Sequence, residues 1–334
     1  MPKEAMPKKI RVSVGSAIVL GLMKGKLDAL PTTVYLLTYY DGKCSANCGF
    51  CPQAKTSRSR GDMLSRVMWP PFPTEKVVTA IKFAAESNLI KRVCIQALNY
   101  PNLFNDLLNI VSEIHSCTDV AISVSCQPLN EIEMEKLAYA GVERIGIALD
   151  AATENIFEKV KGRMIGGPYV WRKQQEALLK AVEIFGKGFV STHLIVGLGE
   201  NDKEIMQIIQ WCVDNGIQPS LFSFTPIVGT ALENLPQPSI SRYRKIQLAR
   251  HLLVKGVTRF EKMIFNQKNE ISSFSVDLEL LRKTVRTGEP FLTSGCPNCN
   301  RPYYNEKPSG PLYNFPRKLT PEEIAEIEKQ LEIW

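Results

Sequence analysis

Between residues 33 and 255 the chain alternates compact apolar runs with longer segments whose apolar residues recur at helical spacing. The runs, at 33–40, 92–98, 119–125, 144–149, 189–196 and 219–225, read as buried strands, because they are short, apolar and bounded by turn formers. Helices are predicted between them at 75–88, 103–115, 130–140, 170–185, 203–215 and 241–255; Ile205, Ile208, Ile209 and Cys212 show the stripe. Six strand–helix units in succession predict an α/β fold around a parallel sheet. Residues 1–32 form a lead-in whose apolar stretch, Val12 to Met23, is read as an amphipathic helix. It is too short and too glycine-broken to cross a bilayer, and no small-residue cleavage site follows. Residues 256–334 form an extension ending in a helix, with Thr320 as N-cap, Pro321 in the first turn and Glu323 completing a capping box.

Composition narrows the picture modestly. The net charge of +7, from 41 Lys and Arg against 34 Asp and Glu, is spread without a dense basic run or aromatic–basic interleaving, so nucleic acid is not indicated. A basic surface suits an acidic partner. Nine cysteines, an odd and clustered set, suit reduced thiols in the cytoplasm better than a disulfide framework.

The chemistry concentrates where the first strand ends. Cys44, Cys48 and Cys51 have C-x3-C-x2-C spacing on one short loop. A cubane iron–sulfur cluster held only by protein takes four cysteines, so three leave one iron open to a chelating ligand. Half a zinc site is the competing reading, although zinc sites pair such a motif with a second, distant one.

This spacing, with Phe50 before the last cysteine, resembles the signature of the radical SAM superfamily. The resemblance implies a [4Fe-4S] cluster whose open iron takes the amino and carboxylate groups of S-adenosylmethionine, with Phe50 beside the adenine. It also implies a partial (βα)6 TIM-like barrel of the radical SAM type, with a lateral opening for a large substrate. Active sites of such barrels lie at the carboxyl ends of the strands. After the second strand Gln96, Ala97, Leu98 and Asn99 stand where many members carry an acidic GGE-like segment, as in the biotin synthase-like branch. GLGE after the fifth strand, with Gly197, Gly199 and Glu200, resembles the family's glycine motif; the plain alternative is a turn capped by Asp202. The loop with Pro226 and Gly229 resembles the adenine-proximal loop. Asp150 ends the fourth strand where ribose hydroxyls could be met, and Arg163 is either a partner for the cofactor carboxylate or a solvated loop charge. His193 reads as a packed core group.

The extension carries Cys296 and Cys299 as C-x2-C in CPNCNRPYYNE. Such a pair chelates one metal well but needs further ligands, for which Cys94 and Cys126 are candidates; a zinc knuckle or a plain buried pair are the alternatives. Cys94 matches one ligand of the second cluster of biotin synthases, whose other two positions are Ser123 and Ser191 here.

The tail on a biotin synthase-like barrel resembles one component of the two-protein lipoyl synthase family. That resemblance implies a sulfurtransferase with an auxiliary iron–sulfur cluster as sulfur donor. It implies as partners an octanoylated lipoyl domain or glycine-cleavage H-type protein, a second synthase component and an electron donor such as ferredoxin, with no nucleic acid and no membrane. Two alternatives stay open: a radical SAM isomerase, methylating or maturation enzyme without sulfur transfer, and a non-catalytic metal-binding scaffold.

Overall fold

A computed structural model describes residues 6–332, so parts of the predicted lead-in (1–5) and extension (333–334) lie outside the described residues. The six predicted strands form one parallel array: β1 (Thr33–Thr38), β2 (Arg92–Gln96), β3 (Ala121–Cys126), β4 (Val142–Ile147), β5 (Val190–Val196) and β6 (Ile217–Ser223), hydrogen-bonded in chain order. All six predicted helices form between or after them, and Glu154–Val160 adds one that lay unrecognised inside the loop after β4.

Period-two patterning decides what each strand faces. On β1, Val34 and Leu36 pack outward under the helices, while Tyr35 and Leu37 turn inward with Trp69, Leu98 and Tyr304. On β5 Val190, Thr192, Leu194 and Val196 are buried outward, whereas Ser191, His193 and Ile195 face the interior. Each fully buried aliphatic side chain contributes about 1.5–3 kcal/mol. The outward faces therefore hold the fold, and the inward faces are left for a site.

The lead-in differs from expectation. Lys9–Val12 is a strand that pairs antiparallel with β1 (Ile10 opposite Thr38, Val12 opposite Leu36) and with Pro71–Pro73. Only Val14–Val19 is helical, capped by Ser13. The alternation of KIRV, with Ile10 and Val12 buried, suits a strand, and Gly21 at φ +68 stops the helix.

The extension is no appendage. Residues 294–306 run across the seam between β6 and β1: Leu221 N donates to Ser294 Oγ (2.7 Å), Asn305 Nδ2 to Ser223 O (3.0 Å), and Arg301 N to the Tyr35 hydroxyl (2.8 Å). Ser65, in the turn of a small hairpin (Met63–Leu64 with Val67–Met68), donates to Tyr304 O (2.6 Å). The tail thus crosses the lateral opening expected of six strands. The final helix, Pro321–Leu331, has the predicted capping box and packs on Ile240–Val254 outside the barrel. Among the described residues no helix is long and apolar enough to cross a membrane.

Candidate functional site: two thiol sets on adjoining cavities

The loop after β1 is shaped mainly by its own backbone. Cys44 N donates to Gln53 O (3.0 Å), Cys51 N to Cys48 O (3.0 Å) and Lys55 N to Ala46 O (2.8 Å). Neighbouring elements then fix it, with Gly49 N donating to Val160 O (2.7 Å) and Leu232 N to Gly49 O (3.0 Å). Asn99 clamps its start: its carbonyl accepts from Ser45 N (2.7 Å) and its N–H donates to Cys44 Sγ (3.2 Å). Cys44, Cys48 and Cys51 line a cavity of about 150 Å³ at the carboxyl ends of the strands, with Gln96, Asn99 and Asp150.

A second cavity of about 200 Å³ fills the barrel interior. Phe50, Cys51, Gln96 and Asp150 line it at one end; Cys94, Cys296, Cys299 and Arg301 line it at the other. Its walls are largely apolar, including Ile145, Ile195, Phe222 and Phe224. At the far end the tail enters from the strand starts: Thr32 Oγ1 donates to Asn298 O (2.5 Å) and Arg92 Nε to Pro297 O (3.4 Å). Cys299 Sγ lies 3.4 Å from the Tyr35 hydroxyl, and Cys296 Sγ lies 3.6 Å from Ser123 Oγ. Because Cys94 is paired in register with Tyr35 and Ser123, the three thiols meet in one layer. Ser191 lines the same cavity.

Cys126 does not join them. It is buried at the end of β3 on the cavity of the first set, and the charge acting on it is Glu133. An odd number of steps separates its side of the strand from Ser123, so the two cannot face the same way.

Asp150 has φ +64, and its carboxylate pairs with Lys161 Nζ at 2.7 Å; Lys161 is fully buried and also donates to Ala148 O. Arg163, by contrast, is exposed and lines neither cavity. The cation beside the first thiol set is Lys161, which sequence reasoning missed: two residues earlier in the same loop, nothing in the local pattern marks it as buried.

The GLGE turn closes on itself. Glu200 is buried, its carboxylate accepting from Gly197 N (2.8 Å), Leu198 N (2.9 Å) and Arg242 Nη2 (3.1 Å). Gly197, at φ +106, lies so near Pro238 that a Cβ would come within 2.8 Å. The next helix is capped by Asn201 with Glu204 in a capping box, not by Asp202, which pairs with Arg242 at 2.8 Å. Gly197, Gly199, Glu200 and Pro226 line neither cavity, although Ile227 does. Gly229 braces the cysteine loop instead: its carbonyl accepts from Arg58 N (2.8 Å), and a Cβ would meet Ser59 N at 2.5 Å.

Residues 41–212, more than half of the chain, match the radical SAM superfamily. The chain belongs to the radical SAM superfamily. It is 26% identical over 167 residues to biotin synthase of Corynebacterium glutamicum, covering 49% of this chain and 46% of that protein. It is 23% identical over 204 residues to biotin synthase of a Sulfurihydrogenibium species, covering 59% and 56%. The chain spans about half the length of these relatives. Among solved structures, the hydrogenase maturase HydG of Carboxydothermus hydrogenoformans aligns with TM-score 0.50 at 18% identity, covering 72% of this chain and 55% of that one. Methylornithine synthase aligns with TM-score 0.50 at 12% identity, covering 79% and 81%. At these identities the likeness supports the fold.

A radical SAM enzyme carries a [4Fe-4S] cluster and S-adenosylmethionine, and the first thiol set fits that cluster. Burial pushes the Cys48 thiol well up, against the pull of Lys161, and pushes Cys51 up to about 12, with Cys44 adding repulsion. Thiols this costly to ionise alone become favourable donors when each takes a cationic iron. Among the described residues no three His, Cys, Asp or Glu side chains converge on a single ion. Cys94 is pushed well up by burial and then by Cys296 and Cys299; Cys299 is pushed up by burial, eased by Arg301 and the Tyr35 hydroxyl. Between the two sets, burial lowers His193 to about 4, leaving its imidazole neutral at physiological pH.

Proposed function

We propose that this radical SAM enzyme inserts sulfur into an octanoyl chain borne on a lysine of a carrier protein, as one component of a two-protein lipoyl synthase. The observation that carries the reading is the single apolar cavity with Phe50 and Cys51 at one end and Cys94, Cys296 and Cys299 at the other. When bound, S-adenosylmethionine on the first cluster would supply a radical able to take hydrogen from an unactivated methylene, and an auxiliary iron–sulfur cluster would supply sulfur.

The chain's own part is placement and exclusion of water. Cys44, Cys48 and Cys51 would hold the first cluster, and Phe50, Gln96, Asn99 and Asp150 would face the cofactor. Lys161 offsets negative charge beside Cys48. Ile145, Ile195 and Phe224 give an alkyl chain an apolar path from one thiol set to the other. Cys94, Cys296 and Cys299 would hold the donor cluster. An octanoylated lipoyl domain or H-type protein brings the substrate, a ferredoxin-type protein the electron, and a second component shares the two insertions.

The test is anaerobic reconstitution with iron and sulfide counted per chain, in wild type and in a Cys296→Ala, Cys299→Ala double variant. About two cubanes falling to about one support sulfur transfer, and octanoylated carrier should then yield thiolated product in wild type alone. One cubane in both overturns it in favour of a radical reaction without sulfur transfer.

A further inference from the structure

The interior cavity, about 200 Å³, is too small for a protein domain, and Leu64, Ser65, Thr225 and Ile227 line it beside the seam. Any substrate attached to a carrier must therefore reach the cavity as the tip of an arm, with the carrier's body left outside. The surface beside these residues is basic. The tract from Lys55 to Arg66 bears Lys55, Arg58, Arg60 and Arg66 against a single acid, Asp62, which Arg60 already holds at 2.7 Å. Lys55 and Arg58 are exposed and Arg66 is half-buried, with no ion pair formed by any of them among the described residues.

Two exposed apolar side chains adjoin these cations. Met68 is 44% exposed, and its sulfur lies 3.6 Å from Arg60 Nη2; Val228 is 84% exposed, next to the Gly229 that holds Arg58 N. A basic rim around a few apolar contacts, at the edge of a buried apolar path, has the make-up of a transient protein interface. The backbone is rigidly mounted: Lys43 Nζ donates to Ser59 O (3.0 Å) and Gln53 Nε2 to Gly61 O (2.9 Å).

We infer that the rim formed by Lys55, Arg58, Arg66, Met68 and Val228 docks the acidic body of the carrier whose acyl arm enters at Leu64 and Ser65. This rests on the carrier-borne substrate proposed above. The charge favours an acidic protein, and an arm entering at Leu64 and Ser65 would leave its body against this rim. A membrane surface would meet the same cations but would not present an arm to an interior cavity.

The decisive variant is Lys55→Glu, Arg58→Glu, Arg66→Glu in the reconstituted holoenzyme, beside the neutral Lys55→Gln, Arg58→Gln, Arg66→Gln. Two substrates are compared: octanoylated H-type protein, and a short peptide bearing octanoyl-lysine. Affinity for the protein should fall about tenfold or more in the reversed variant and less in the neutral one, with its salt dependence flattened. 5′-Deoxyadenosine formation with the peptide should stay at the wild-type rate, and a carrier with two surface acids changed to Lys should restore binding to the reversed variant. Unchanged carrier affinity alongside an active peptide overturns the docking surface and leaves the sulfur-transfer reading standing. Inertness of both substrates in wild type overturns that reading and this inference with it. Wild-type binding to phosphatidylserine vesicles, lost on reversal while carrier affinity is unmoved, overturns it in favour of a membrane surface.

Discussion

Cys44, Cys48 and Cys51 stand on one short loop that its own backbone hydrogen bonds hold in shape, whereas Cys94, Cys296 and Cys299 come from a strand and a tail far apart in the chain. The first set is a local chelate that would keep its spacing on many scaffolds. The second exists because the tail crosses the seam, through Asn305 to Ser223 and Arg301 to Tyr35. Function at the first end is therefore separable from folding, while at the second the same residues cross the seam and present the thiols.

The largest effect expected from this contrast is at Cys48. Cys48→Ala should lower iron by about four per chain and bring S-adenosylmethionine cleavage to background, while the thermal midpoint of the metal-free chain moves by only a few degrees. A collapse of the metal-free chain would break the claim that the loop is separable. At the other end, the proposed auxiliary cluster predicts that Cys94→Ala also removes about four irons, yet leaves S-adenosylmethionine cleavage in place. Cys126→Ala is the internal control, expected to leave iron unchanged and to cost about 1 kcal/mol in urea unfolding for a buried side chain. Iron loss on Cys126→Ala would place the auxiliary ligands on the wrong side of β3.

The contrast also explains what could be read beforehand. All six strands, six of the helices, the near thiol set and the Cys94–Cys296–Cys299 association were legible, because strand patterning and cysteine spacing are local and the tail pair demanded partners. The misplacements share a cause, since which side of a strand or loop a polar residue takes is settled by packing. Cys126 lies one register step from the interior, and Arg163 points to solvent while Lys161 is buried. The seam crossing had no local signal, since its hydrogen bonds join β6 to residues some eighty positions later. The basic rim was diluted by a net charge counted over the whole chain.

Lys161 tests how separable the first end is, since it lies outside the cysteine loop yet acts on Cys48. Lys161→Met leaves the Asp150 carboxylate buried without its partner and should cost about 3 kcal/mol, read as a lowered urea midpoint. Adding Asp150→Asn should recover much of that loss. Failure to recover would mean that Lys161 serves the Ala148 carbonyl and the packing around it more than the carboxylate.

The smallest effect separates turns that touch cofactor from turns that only support the site. Glu200 resembles a cofactor residue by motif, yet its carboxylate is spent on Gly197 N, Leu198 N and Arg242, all within 3.1 Å. Glu200→Gln keeps one oxygen acceptor and loses the charge facing Arg242, so it should cost about 1–2 kcal/mol of stability. Affinity for S-adenosylmethionine, measured by equilibrium dialysis on the reconstituted protein, should stay within about twofold, because neither Glu200 nor its turn lines a cavity. A tenfold loss of affinity at unchanged stability would return the turn to the cofactor. The carboxyl end would then be assembled from distant segments as much as the far end is, and the contrast between the two thiol sets would lie in their ligands alone.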